Sequence, residues 1–596
     1  MKKPFLVLAA VAALLPAVAL AHQNGPHASY DVLVPGEVPG LFVILLTAIT
    51  FFVKSRRSQR PAPLITGLTL ALLSGVLLYL SFPPFDLGWL AWVALVPMII
   101  AQLRYDIQLP TPALSAVEGS NLQRLTSKIQ PANLYQALTI FVVYALVFMH
   151  VFPSELPTGF PLPVWPLILV AIALVCLIFY WTGLPAGSLA FHRRTNFRFF
   201  IVAPALGWMG MELVRMIVEM GQSWARIPAT QHANIPLVQL STFGGEWLVG
   251  TLVIAANYAL ASIVVWGRGK GKAFTSTPRF SFSLPRSGEG RQGAITIAIV
   301  LAAHLLGAAL ISAPTQTVRV AAIQLGEDLG DSPDYMTYWN LADWHGMDQA
   351  VLRDFEPLIR QAAARGAKII ALPEATLWED PALTPALEAR LLNLAKETGA
   401  YITFTFYLWN DPNSRNEVYT ATPDGQWLGP YAKNHPIAYI GEYSITAGKF
   451  PVYQTPYGGL SNFICYDNTY TDVASHLARD GASILTSSNH DWPEGAWGFY
   501  TQLVYRAAEN RVAIVRSDWR VGSAIIDPFG RVLASAKWDA REQTVLVADV
   551  PIVLPRGTVY TRTGDWFAYL GLAVLAALAV AGMPLPRRLR TALQPA

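Results

Sequence analysis

Long uncharged apolar runs fill residues 1–313 and return at 566–584, while 315–555 has an ordinary globular mixture. A helix of about twenty apolar residues matches the hydrocarbon thickness of a bilayer and satisfies its own backbone polar groups. The runs at 37–53, 64–82, 87–103, 134–152, 163–183, 199–217, 245–266 and 294–313 are therefore read as candidate spans, with a last one at 566–584. Only 14% of the residues are charged, against about 25% in soluble domains. A wholly soluble chain is excluded. The expected architecture is a multi-span α-helical membrane domain joined to one α/β domain large enough for its own core.

Lys and Arg set the orientation, because basic loops stay in the cytoplasm. Lys54, Arg56, Arg57 and Arg60 share one loop, Arg104, Arg124 and Lys128 another, and His192, Arg193, Arg194 and Arg198 a third. A fourth runs from Arg268 to Arg291, whereas 22–36, 83–86, 153–162 and 218–244 are nearly free of such charge. This alternation puts the α/β domain outside, and Arg587, Arg588 and Arg590 return the chain to the cytoplasm. Met1-Lys2-Lys3, the apolar stretch behind it and Ala19-Leu20-Ala21 form either a cleavable signal or an uncleaved first helix. The chain divides into this segment (1–21), an extra transmembrane helix (22–56), a polytopic domain (57–314), the α/β domain (315–555), and a final helix with its tail (556–596). The net charge of +4 sits in loops and gives no sign of nucleic-acid binding. The long loops 104–133 and 268–293 are read as irregular.

Within 315–555, strands are expected at 318–324, 367–372, 400–407, 416–421, 460–464, 482–487, 511–516 and 543–549. Helical patterns lie at 347–365, 382–398, 470–480 and 497–510, and Asp527-Pro528-Phe529-Gly530 marks a hairpin. Alternating strands and helices argue a layered domain, with its sites at strand ends.

Cys465 and Cys176 are the only cysteines, and Cys176 lies within an apolar run. Cys465 therefore has no evident disulfide partner, and it stands where strand 460–464 runs into a sharp turn. Upstream, Glu374 follows another strand end, and Lys433 sits in a polar loop after the Pro423-Asp424-Gly425 turn. Taken singly, each has a bland explanation: an inert thiol, a solvated carboxylate, a surface lysine. Together they form a nucleophile, a proton acceptor and a positive charge. A thiol attacks as thiolate and needs such neighbours, and Lys433 with the backbone N–H of Tyr466 can hold a tetrahedral oxyanion. His435, His490 and His150 lack ligand spacing, so no metal and no cofactor are expected.

Pro373-Glu374, Tyr431-x-Lys433-x-His435 and Ile464-Cys465-Tyr466-Asp467 resemble, in order, the three motifs of carbon–nitrogen hydrolases of the nitrilase superfamily. The resemblance implies an αββα sandwich with a catalytic Glu374, Lys433 and Cys465. With helices before it and one after, 57–585 is similar to the apolipoprotein N-acyltransferase family. Ser81-Phe82-Pro83-Pro84-Phe85-Asp86, Trp89-Leu90-Ala91-Trp92, Gln231, Gln239, Gly244-Gly245-Glu246 and Gly441-Glu442-Tyr443 support that likeness. The family implies supporting roles for Glu442 and, with Arg506 and Arg516, for Glu509. It also implies a phospholipid acyl donor, a diacylated apolipoprotein acceptor, a Cys465 thioester, and a monomer in the bacterial inner membrane with its catalytic domain on the periplasmic side. Ala438-Tyr439-Ile440, the loop 489–493 and the segment 517–522 depart from the family pattern around the acceptor side. A tethered amidase, or an acyltransferase with another acceptor, is the alternative; a non-catalytic scaffold is a third reading.

Overall fold

The structure is a computed structural model that describes residues 63–83, 85–104, 131–151, 191–192, 195–217, 225–266, 288–312, 316–326, 343–410, 413–437, 441–491, 493–536, 543–553 and 557–582. The expected spans at 37–53 and 163–183, the N-terminal segment and the basic tail lie outside these residues.

Helices Pro63–Tyr79, Pro131–Val151, Val202–Ile217, Ser241–Trp266, Gly288–Ala309 and Trp566–Gly582 fall on the other expected spans. Ser241–Val265 and Gly290–Ala309 are long and apolar enough to cross a membrane. The run at 87–103 is not one helix. A short turn at Gly88–Trp92 is followed by a helix at Val96–Arg104, with Val93 at φ −129° between them. Pro97 explains the break, since it has no N–H for the Val93 carbonyl and its ring crowds that group. Glycine allows close packing at one crossing, where a Cβ on Gly210 would lie 2.4 Å from the Gly571 carbonyl carbon.

Among the described residues, twelve strands form two sheets. The first holds β1 (Thr317–Gln324), β2 (Ile369–Ala371), β3 (Tyr401–Asn410), β4 (Asn413–Ala421), β5 (Trp427–Ala432) and β12 (Thr544–Pro551), in the order β12-β1-β2-β3-β4-β5. The second holds β6 (Tyr453–Thr455), β7 (Gly458–Ile464), β8 (Ala482–Asn489), β9 (Ala513–Asp518), β10 (Ala524–Ile526) and β11 (Val532–Ser535), in the order β11-β10-β9-β8-β7-β6. Each has a parallel centre, β1-β2-β3 and β7-β8-β9, with antiparallel flanks.

Strand alternation builds the layers. Val318, Val320, Ala322, Ile369 and Ala371 face Leu460, Ile484, Ala513 and Val515 between the sheets. Ala321, Ile323, Ile370, Ile402 and Phe404 point outward beneath helices Trp344–Ala364 and Pro385–Thr398. Phe463, Leu485 and Ile514 lie beneath Asp472–Arg479 and Pro493–Asn510. The result is the αββα sandwich expected for 315–555. Strands β5 and β6 were absent from the sequence reading, since both are short and mostly half-exposed.

The sandwich is seated on the helices through polar contacts. Tyr505 donates to the Pro228 carbonyl at 2.7 Å, and Gln239 donates to the Phe529 carbonyl at 2.7 Å while accepting from Arg511. Gln231, a few residues before Gln239, receives the Trp92 indole N–H at 3.0 Å and donates to the Gly88 carbonyl.

Candidate active site

Parallel strands deliver most of the site at their carboxyl ends. Glu374 follows β2, Cys465 follows β7, Asp491 follows β8, and Asp518 closes β9. The chain turns sharply at the cysteine, which has φ +38°; Ala375, beside Glu374, has φ +53°. Such angles are unfavourable for residues with a Cβ, costing about 1–3 kcal/mol, and persist only where the surroundings impose them. Asp467 supplies that constraint. Its carboxylate accepts the N–H groups of Ile464 (3.1 Å) and His435 (2.8 Å) and the Tyr431 hydroxyl (2.7 Å). One buried side chain thus locks the cysteine turn to the segment carrying Lys433, which accounts for the spacing Tyr431-x-Lys433-x-His435.

Lys433 lies in the loop that directly follows β5, as expected, but it is buried there, only 2% exposed, and not a solvated surface lysine. Its Nζ lies 2.9 Å from a Glu374 oxygen and 3.4 Å from Glu442. Asn416 on β4 donates to both carboxylates, at 2.6 and 3.2 Å, and the Ile437 N–H donates at 2.7 Å to the Glu442 oxygen that pairs with Lys433. The Trp519 indole N–H fixes the Glu374 carbonyl at 2.5 Å. The Glu374 carboxylate also lies near enough to the Cys465 thiol for its charge to act on it.

The proton balance follows from this geometry. Burial pushes Glu374 up, but the Lys433 charge and its hydrogen bond, with smaller help from His490 and the thiol, together outweigh it and leave the carboxyl below its ordinary value. Burial opposes the charge on Lys433, yet Glu374 and the other nearby negative groups hold its ammonium well above the usual range. Burial, reinforced by the Glu374 charge, pushes the Cys465 thiol well up. The resting pattern is thiol, carboxylate and ammonium. Such a site can pass the thiol proton to Glu374 at the moment of attack, beside a fixed positive charge.

The structure therefore brings Glu374, Lys433, Cys465 and Glu442 together. Tyr466 follows the cysteine and packs edge-on against Tyr470, 5.5 Å between ring centres. Glu509 lies in another cluster. It accepts the Glu246 N–H at 2.7 Å and pairs with Arg506 at 2.9 Å, while Glu246 pairs with Arg226 at 2.8 Å and Arg506 at 3.3 Å. It buttresses the joint between sandwich and helices. Arg516 instead belongs beside the cysteine, where it pairs with Asp491 and Asp518 at 2.6 and 2.8 Å. Sequence reasoning missed Asn416 and the closeness of Asp491, which accepts the Cys465 thiol at 3.5 Å. The only signal for Asp491 was its place in a loop that departs from the family pattern.

No group of His, Cys, Asp and Glu suited to a metal ion occurs among the described residues.

Comparison with known proteins matches both halves. Residues 74–259 fit the model of the apolipoprotein N-acyltransferase N-terminal domain, and 319–557 fit that of carbon-nitrogen hydrolases. The apolipoprotein N-acyltransferase of Geobacter metallireducens is 26% identical, over 86% of this chain and 94% of its own length. That of Gloeobacter violaceus is 25% identical, over 87% and 94%. The omega-amidase NIT2 of Xenopus tropicalis is 27% identical but aligns with only 33% of this chain and 80% of its own. The helical half thus separates the two kinds of relative. The chain belongs to the apolipoprotein N-acyltransferase family.

Proposed function

We propose that the protein is an apolipoprotein N-acyltransferase that moves an acyl chain from a phospholipid, through a Cys465 thioester, to the N-terminal amine of a diacylglyceryl-cysteine lipoprotein. The observation that carries this reading is Cys465 on a constrained turn within reach of a buried Glu374–Lys433–Glu442 cluster, in a sandwich seated on apolar helices.

As Sγ attacks the ester carbonyl, its proton passes to Glu374. Lys433 and the Tyr466 N–H receive the oxyanion, and removing one such donor costs about 3 kcal/mol of transition-state stabilisation. Glu374 then protonates the departing lysophospholipid oxygen. In the second half, an amine attacks the thioester, Glu374 takes its proton and returns it to the thiolate. Glu442 and Asn416 keep Lys433 and Glu374 in register.

The helical half serves the donor. Drawing an 18-carbon chain into water costs on the order of 12 kcal/mol at about 0.8 kcal/mol per CH₂. Ile295, Ile299, Leu301, Leu305 and Leu306 on Gly288–Ala309 are each at least half exposed, an apolar face suited to lipid. Trp566 and Tyr569 are exposed at the start of Trp566–Gly582, as an interfacial aromatic belt requires. On this reading the protein is a multi-pass inner-membrane enzyme with its sandwich on the periplasmic side.

The test is intact mass after incubation with phospholipid and no acceptor. Wild type should gain one acyl mass, removable by hydroxylamine and by a diacylated lipopeptide, and Cys465→Ala should gain none. Release by water or a small amine with the lipopeptide ignored would favour a tethered amidase. Absence of any adduct would refute the acyl-enzyme.

A further inference from the structure

Asp491 is a carboxylate that this acyl-transfer scheme leaves without a task. Its Oδ1 accepts the Cys465 thiol at 3.5 Å, and its Oδ2 is fixed by Arg516 at 2.6 Å. Asp518 shares the same Arg516 nitrogen at 2.8 Å and accepts the Asp491 N–H at 3.4 Å. All three side chains are buried.

Two carboxylates around one guanidinium leave one negative charge in excess. Glu374 and Glu442 around Lys433 repeat the arrangement about the same thiol. An unbalanced buried charge is costly, so the excess is taken up by a proton or by a cationic ligand. The proton affinities agree. Burial raises Asp491, with Arg516 opposing and Glu374 adding; burial and then the Asp491 charge push Asp518 up to about 7.

The ping-pong cycle opens this position at the right step. In the resting enzyme the thiol faces Asp491 Oδ1 at 3.5 Å. A thioester has no proton, so on acylation Oδ1 loses its donor while remaining anchored by Arg516 beside the acyl sulfur. The next reactant is an α-amine, whose pKa of about 7.7–8.0 leaves it largely ammonium at neutral pH.

We propose that Asp491 is the acceptor-selecting residue, binding the α-ammonium of the incoming lipoprotein on the carboxylate oxygen that acylation of Cys465 frees. The proposal rests on the acyl-transfer reading above. The ammonium gives one proton to Asp491 and becomes a neutral amine. Its nitrogen attacks the thioester carbon, forming C–N. The second N–H proton passes to Glu374 and on to Sγ as the C–S bond breaks. The products are the amide, the free thiol and one proton, which Asp491 releases to solvent. Water carries no charge and gains only a hydrogen bond from Asp491, whereas the ammonium gains a charge-assisted one, so the same residue biases the acyl-enzyme toward aminolysis.

The experiment loads wild type and Asp491→Asn with phospholipid and follows loss of the acyl mass on adding a diacylated lipopeptide or hydroxylamine, an amine uncharged at neutral pH. Loss of a charged proton acceptor should slow lipopeptide aminolysis on the order of 100-fold, while hydroxylamine cleavage of the same variant changes several-fold at most. Asp491→Glu, which keeps the charge, should recover a substantial part of the lipopeptide rate. Equal losses for both amines, or no loss for either, would overturn the proposal. A measurement on wild type alone guards against misfolding of the variants. An N,N-dimethylated lipopeptide, still a cation with one N–H, should compete for the acyl-enzyme roughly tenfold better than its N-acetylated counterpart. Equal competition would overturn the proposal even where Asp491→Asn does not fold. A wild type that forms no thioester, or whose thioester ignores the lipopeptide, refutes the underlying reading and the proposal with it.

Discussion

Lys433 sits buried between Glu374 and Glu442, and that placement fixes how the site responds to pH. On the proposed mechanism Glu374 must be ionised to take the thiol proton, and its carboxyl lies below the ordinary glutamate value because burial is outweighed by the Lys433 charge and hydrogen bond together with smaller neighbouring contributions. A depressed carboxyl contributes stability that is present above its unfolded value and lost as pH falls through the folded one. Acyl-enzyme formation, measured by rapid quench and intact mass, should therefore fall on acidification with a midpoint below the ordinary glutamate value. A midpoint at neutral pH would contradict this assignment. Glu374, Lys433 and Cys465 were legible as chemistry because their types and order are unusual together. The burial of Lys433 was not, since a lone lysine after a Pro-Asp-Gly turn reads as solvated. Asp491 and Asn416 were illegible for the same reason: a polar residue in a loop or strand shows its partner only when another strand is brought beside it.

At the scale of elements, glycine marks where chains must approach. Helix Ser241–Trp266 is kinked at Gly244 and Gly245, with Gly245 at φ +67°, and the bend turns the Glu246 N–H onto Glu509. A Cβ at Gly245 would lie 2.5 Å from the Tyr560 ring. Gly245→Ala should cost about 1–3 kcal/mol from a positive-φ backbone conformation open essentially only to glycine, with the clash added. A lowered midpoint in thermal unfolding of the detergent-solubilised protein would register it; an unchanged midpoint would mean the kink is not required. The sequence showed the Gly244-Gly245-Glu246 stretch as a family likeness without a physical reason. The reason is a contact to a residue more than 300 positions away. Strand patterns in 315–555 were easier, because central strands buried on both faces read as apolar runs; β5 and β6 lacked that signal.

The whole molecule is held at its joint by Arg226, Glu246, Arg506 and Glu509, all buried. Breaking a buried pair leaves an uncompensated charge and costs about 3–5 kcal/mol. Glu246→Gln, which removes countercharge from both Arg226 and Arg506, should destabilise by about 3 kcal/mol. Limited proteolysis of the variant should cut first at the boundary between helices and sandwich. Cleavage spread evenly over both halves would argue that the network stabilises one of them alone. Glu509, expected to support the catalytic cysteine, acts at this joint, because the helix Pro493–Asn510 turns its last residues toward the other half.

Taken alone, the sequence determined the division into apolar helices and a layered α/β domain, since hydrophobic periodicity and run length are local properties of a chain. It also singled out Glu374, Lys433 and Cys465 as the candidate base, cation and nucleophile, since residue type and the order of strand ends are readable in a chain. Only the tertiary structure decided which charges share the thiol and which secure the joint. Electrostatic partnership is a matter of a few ångströms between strands far apart in the chain, and no local pattern encodes it.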